Sequence, residues 1–186
     1  YWEDEEFKAR RYTLLGTLYR EDPVPEPAGK YDIPAVRPKG WAIAGFEIDG
    51  MKLNLKVGRW ETDGVKEIWE LLPEKGLQIE WNYPYAGNDV YLVMEGAVHV
   101  KADGHDFTAR KRDVINIPPY YKHTLTVLEE GTVIYAYNVQ SCLMHVMERL
   151  KAEKIRTPEN LKDWGYVEKI LRENNCWVTG IRKITV

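Results

Sequence analysis

From Trp41 to Val139 apolar and polar residues alternate in short runs broken by turn residues, and this period of two constrains the chain more than any other feature. "WAIAGFEI" and "MKLNLKVG" flank Asp49-Gly50, a strong two-residue hairpin signal. Further runs follow at 65–72, 76–83, 90–102, 105–111, 113–118, 123–129 and 132–139. Turn residues separate them at Pro73-Glu74-Lys75-Gly76, Asp103-Gly104 and Glu130-Gly131. Many short strands at this spacing predict an antiparallel sandwich or barrel over 41–140.

The flanks differ. Residues 2–20 read as a charged helix or arm, with Glu3, Asp4, Glu5 and Glu6 at the end where acidic side chains favour the helix dipole. Five prolines in 21–40 exclude regular structure and suit an extended segment wrapped over the domain. After residue 140 the period becomes helical. Residues 141–154 predict a helix, its first half also compatible with an extension of the last strand. Thr157-Pro158-Glu159 reads as an N-cap with Pro at N1, opening a helix that carries Leu161, Trp164, Val167 and Leu171 on one face. "CWVTGIRKITV" closes as an extended tail that adds a strand to its own barrel or to a partner's. The organisation expected is thus 1–40 arm, 41–140 barrel and 141–186 C-terminal helices and tail.

The 186 residues suffice for one domain with a real core. A net charge of −3 speaks against a nucleic-acid partner, which needs a concentrated basic face; Arg110-Lys111-Arg112 reads as a solvated turn. No apolar run approaches the ~20 residues of a membrane span, and no signal peptide is visible. Cys142 and Cys176 have no metal-type spacing, which fits a reduced, cytoplasmic location.

Two stretches, "VYLVMEGAVHVKADG" and "RDVINIPPYYKHTLTV", resemble the barrel units of the cupin superfamily. The first is similar to the family's strand, Glu-Gly turn, strand; the second to its Asp-Val, Ile-Pro-Pro, His unit. The match covers 76–139, about a third of the chain. The resemblance implies a jelly-roll β-barrel, all-β apart from the flanking helices, and leaves activity open because cupins host dioxygenases, isomerases, lyases, storage proteins and sensors. In the family's first motif, Gly76 and Gly96 match the outer glycines and Asp89 takes the acidic position. The two histidine positions fall on Asn82 and Pro84. In the second motif the histidine is kept as His123, and Tyr120 replaces the glycine. Most of the family's metal ligands are therefore exchanged. The expectation is no cofactor; the alternative is a divalent ion (Fe, Mn, Zn or Ni) held by His123, Asp89 and Glu80.

Strand phase decides which side chains meet. With Asp89 inward, Tyr91 and Val93 share its face, as do Val98 and Val100 after the turn, and His99 points out. His123, Leu125 and Val127 share one face. Over 76–83 two phases stay open: Trp81 and Tyr83 inward with the apolar set, or Glu80 and Asn82 inward with the motif register. Tyr135 and Tyr137 against Ala136 and Asn138 carry the same ambiguity.

His123 is the leading acid-base candidate, since a half-buried imidazole titrates near neutrality. Asp89 is its partner, as base or orienter, unless it serves only as a turn residue. Tyr91, Tyr121, Asn82, Trp81, Tyr83 and Glu80 are candidate ligand contacts; tyrosines supply both stacking and hydroxyls. His99, His105 and His145 receive no role. Three functions follow from the resemblance and these residues: a metal-independent isomerase, epimerase or lyase acting on a small polar molecule, a metal-dependent dioxygenase or lyase, and a non-catalytic metabolite-binding module. A homodimer is expected, with the arm and tail covering edges.

Overall fold

The computed structural model describes residues 34–48, 50–58, 61–62, 66–82, 89–138, 143–173, 176 and 178–184. The helix expected over 2–20 and the first part of the arm lie outside the described residues. The chain forms β1 (Gly45–Ile48), β2 (Met51–Val57), β3 (Glu67–Pro73), β4 (Leu77–Asn82), β5 (Asp89–Glu95) and β6 (Ala97–Ala102). It continues with β7 (His105–Arg110), β8 (Val114–Ile117), β9 (Lys122–Val127) and β10 (Val133–Asn138). The turns behave as their residues demand: Gly50, Gly76, Gly96, Gly104 and Gly131 all have positive φ, a region L side chains enter only with strain.

With β11 (Val178–Lys183) these strands form two antiparallel sheets, β1-β2-β3-β10-β5-β8 and β11-β4-β9-β6-β7. The eight consecutive strands β3 to β10 therefore take the orders β3-β10-β5-β8 and β4-β9-β6-β7, which is the strand order of a double-Greek-key jelly-roll. β1 and β2 lengthen one sheet; β11 (Val178–Lys183) lengthens the other by pairing with β4 of its own chain. The tail thus covers its own barrel.

Alternation puts one phase of each strand between the sheets. Trp69, Leu71, Val93, Ile115, Ile117 and Ile134 come from one side; Leu77, Ile79, Val98, Val100, Leu125 and Val127 from the other. Each such side chain, fully buried, stabilises the fold by about 1.5–3 kcal/mol relative to exposure. For the last strand the ambiguity resolves toward Ala136, which lies opposite Trp69 and Tyr91, while Tyr135 turns outward to donate to Glu70 at 3.4 Å.

The outer face of β2 and β3 is covered by residues 34–44. Buried Lys56 donates to the carbonyl of Pro38 (2.6 Å) and pairs with buried Glu70 at 3.2 Å. Glu70 also accepts from Gly40 N (3.0 Å) and Asn54 Nδ2 (2.8 Å). The Pro-rich segment is therefore fastened to the sheet through its backbone polar groups, which is how an irregular segment can cover a core.

Two helices close one end of the barrel. Helix α1 (Leu143–Arg156) starts against Glu67, a fully buried carboxylate on the inward phase of β3. Glu67 Oε2 accepts from the backbone N of Leu143 (3.1 Å) and from Trp69 Nε1 (2.9 Å). A carboxylate at a helix N-terminus meets unpaired N–H groups and the positive end of the dipole. The single helix expected after Pro158 is instead two pieces, a 3-10 helix (Pro158–Lys162) and α2 (Trp164–Glu173). The break lies at Asp163, whose extended backbone ends the first piece and whose Oδ1 accepts from Gly165 N at 2.9 Å. Thr157 makes no side-chain cap; its hydroxyl donates to Glu153. The apolar face is as the periodicity implies: Val167 and Leu171 are buried, and Leu161 and Trp164 pack against the core.

Candidate functional site

The strands bring His123, Asp89, Tyr91 and Trp81 together at the end of the barrel capped by the helices. Trp81 on β4 and His123 on β9 are direct cross-strand partners on the inward phase. Their rings stack at 5.0 Å with planes 9° apart. Tyr91, on β5 across the barrel, sits 5.8 Å from the Trp81 ring and places its hydroxyl 3.2 Å from His123 Nε2. Asp89, two residues earlier on the same face, has Oδ2 3.6 Å from that nitrogen.

The hydrogen bonds assign the tautomer. His123 Nδ1 lies 3.3 Å from the carbonyl oxygen of Tyr121. A carbonyl only accepts, so Nδ1 carries the proton and Nε2 of the neutral ring accepts from the Tyr91 hydroxyl. Burial pushes the imidazole down to about 4, against the opposing effect of the Tyr121 carbonyl. The ring is therefore neutral at pH 7.

Asp89, Tyr91 and Trp81 line a cavity of ≈ 80 Å³ between the sheets and the helical cap. Trp69, Leu143, Met147, Leu171, Cys176 and Val178 complete much of its wall. Burial, followed by the carboxylates Asp89 and Glu67, pushes the Cys176 thiol up to about 12, so it is an inert wall group.

The other sequence candidates fall elsewhere. Glu80 points to the outer face, where its Oε1 accepts from Arg182 on β11 at 2.7 Å. The apolar phase of β4 is thus the inward one, and Glu80 joins neither the cavity nor His123. Tyr121 contributes its carbonyl to His123, while its ring packs against the core rather than lining the cavity. Asn82 pairs by its backbone with Lys122; its side chain and all of Tyr83 lie outside the described residues. Glu67, Trp69 and Cys176 were not legible as site residues. The signal was present for Glu67, which shares parity with Trp69 and Leu71 in "VKEIWELL". His99 faces outward to an exposed ion pair with Asp106.

Among the described residues no three His, Cys, Asp or Glu side chains converge as metal ligands. His123 and Asp89 stand without Glu80, so the donor set expected for the metal alternative does not assemble. Among the same residues no helix is long and apolar enough to cross a membrane.

No protein-family model and no curated protein matches the sequence. Solved structures similar to it include KdgF from Halomonas sp., at 12% identity and TM-score 0.44 over 50% of this chain and 84% of that one. An RmlC-like cupin from Shewanella frigidimarina aligns at 19% identity and TM-score 0.41 over 50% and 81%. Ectoine synthase from P. lautus aligns at 10% identity and TM-score 0.45 over 51% and 68%. Likenesses this distant carry no argument about activity; the fold stands on its own strand order and on the placement of Gly76, Gly96, Asp89 and His123 within it. By that order and that placement, the chain has the fold of a cupin jelly-roll.

Proposed function

We propose that the capped end of the barrel binds a small organic molecule and that Asp89, Tyr91 and His123 move protons on it, in an isomerisation, epimerisation or elimination. The observation that carries this reading is the line of three groups: the Tyr91 hydroxyl 3.2 Å from Nε2 and the Asp89 carboxylate 3.6 Å from it. Asp89 and Tyr91 face the cavity; His123 stands behind them. A proton taken from the ligand by the Tyr91 oxygen is matched by passage of the phenol's own proton to Nε2. The imidazolium so formed lies at ion-pair distance from Asp89, which stabilises it. Return of the proton to a different ligand atom completes the isomerisation; departure of a leaving group completes an elimination. His123 thus acts through Tyr91 rather than on the ligand itself.

A metabolite screen by thermal shift identifies the ligand, and turnover of the hit tests the chemistry. Tyr91→Phe and Asp89→Asn each lower turnover by ~10²-fold or more, the usual contribution of a positioned acid or base. Unchanged turnover in both variants refutes the relay. A second reading, a non-catalytic binding module, is favoured by the mostly apolar wall, which suits retention of a ligand; a hit that binds and is recovered unchanged supports it.

We also propose a homodimer through the outer face of β5 and β8, where Leu92 and Val114 are direct partners and, with Met94, are exposed. Clustered exposed apolar side chains mark association surfaces. Sedimentation at micromolar concentration tests it, and Val114→Glu shifts the species to monomer.

A further inference from the structure

We infer that the free edge of β1 receives an extended segment of a partner protein, one in which apolar and acidic residues alternate. Among the described residues β1 ends its sheet, with β2 as its one neighbour. Leu55 N donates to the carbonyl of Ala44 at 2.9 Å, which sets the phase of the ladder. In an antiparallel pair every second residue bonds toward the partner strand. Phe46 and Ile48 therefore bond toward β2, and the amides and carbonyls of Gly45 and Glu47 point away from it.

That edge opens on a groove of ≈ 490 Å³, lined by all four residues of β1 in succession. Adjacent side chains of a strand point to opposite faces, so a groove that touches four in a row runs along the edge. Its opposite wall is the helical cap. Leu150, Leu161, Trp164 and Val167 give that wall its apolar surface, and Lys151 and Lys154 stand exposed beside them, one turn apart on α1. Among the described residues neither lysine is held in an ion pair. Glu47, the acid of the lining, faces Lys52 directly across the hairpin and so has a basic neighbour of its own.

Three occupants are distinguished by these walls. An acyl chain would fill the apolar side but cover the N–H and C=O groups of Gly45 and Glu47 without pairing them, which is unfavourable. A second copy meeting this groove across a two-fold axis would bring Lys151 and Lys154 of both chains to one interface, like charge against like. An added strand pairs the edge groups and sends every second side chain into the gap between β1 and the cap. Acidic residues between those apolar ones meet the two lysines at the rim.

Dye-labelled acetyl-Val-Glu-Val-Glu-Val-amide and its lysine counterpart, titrated into the full chain by fluorescence polarisation, separate backbone pairing from charge. The acidic peptide is expected to bind with a Kd of about 1 mM or tighter, at least about tenfold more tightly than the basic one. The double variant Lys151→Glu, Lys154→Glu reverses that preference. Glu47→Pro removes an outward N–H and keeps the bonds to β2, and it weakens the acidic peptide at least about tenfold. If Glu47→Pro does not fold, methylating alternate peptide nitrogens in each of the two phases tests the same pairing on the unmutated chain, and one phase loses affinity. Absence of binding at about 5 mM, equal affinity of the two peptides, or indifference to methylation in both phases overturns the inference. Displacement of the peptide by decanoate at equal concentration assigns the groove to an acyl chain and overturns it. A dimer in sedimentation that Glu47→Pro dissolves assigns the groove to a second copy and also overturns it.

Discussion

The imidazole of His123 lies flat on the indole of Trp81, 5.0 Å away and 9° from parallel, because β4 and β9 pair these two residues directly across the sheet. The stack shields one face of the histidine from water, and Tyr91 and the Tyr121 carbonyl engage its two nitrogens. The result is a fully buried ring that the fold holds neutral.

That neutrality makes stability depend on pH. The unfolded chain keeps a proton on this ring up to about pH 6.5, the native chain only below about 4. Between those values the unfolded state binds more protons. Stability therefore rises with pH through this window and is lost as pH falls from 6.5 to 4, by about 3 kcal/mol from this group. Urea unfolding of the unmutated chain and His123→Gln at pH 7 and pH 4 isolates the effect. The stability gap between them narrows by about that amount at pH 4; parallel pH profiles would refute it.

Gly96 turns β5 into β6 at φ +76, and a Cβ there would lie 2.3 Å from Thr132 Oγ1 and 2.9 Å from Thr132 Cα. Backbone cannot yield as a flexible side chain does. Gly96→Ala is expected to destabilise by about 2 kcal/mol or more, measured as a lower urea midpoint.

Tyr120 is the reverse case. It stands where the resemblance places a glycine, and its backbone keeps the glycine-like φ of +70. The side chain is more than half exposed, so little packing offsets the strain. Tyr120→Gly is expected to stabilise by roughly 0.5–1 kcal/mol, since relief of left-handed strain exceeds the added freedom of the unfolded chain. A fall in melting temperature for this variant would contradict the argument.

Lys56 and Glu70 are both buried beneath residues 34–44, 3.2 Å apart. Lys56→Met strands the carboxylate and is expected to cost about 3 kcal/mol. Glu70→Gln strands the ammonium in the same way. The double variant should cost less than the two singles together by about 1 kcal/mol or more, read from a double-mutant cycle. Strict additivity would mean that the pair does not fasten the segment.

Cys176 is expected to resist thiol reagents in the folded state, because burial, reinforced by Asp89 and Glu67, pushes its thiol up to about 12. In a Cys142→Ser background, labelling in buffer should be at least about 100-fold slower than in denaturing urea, followed optically. Equal rates would place the thiol outside the cap.

Much of this protein is written locally in its chain. Alternation and turn residues mark the strands from β1 to β10, because side-chain period and positive φ are properties of a few adjacent residues. Parity alone links Asp89 to Tyr91 and orients His123, once their strands are known. The phase of β4 was a different matter. Trp81 and Glu80 are neighbours, and both faces of a barrel strand can be covered. The choice was made by β11, which brings Arg182 to Glu80 outside, and by β9, which sets His123 against Trp81 inside. The cavity is likewise a tertiary product: Trp69, Cys176 and the helical cap meet there from distant parts of the chain. No local pattern encodes such a meeting, because burial and field at a point depend on every element packed around it.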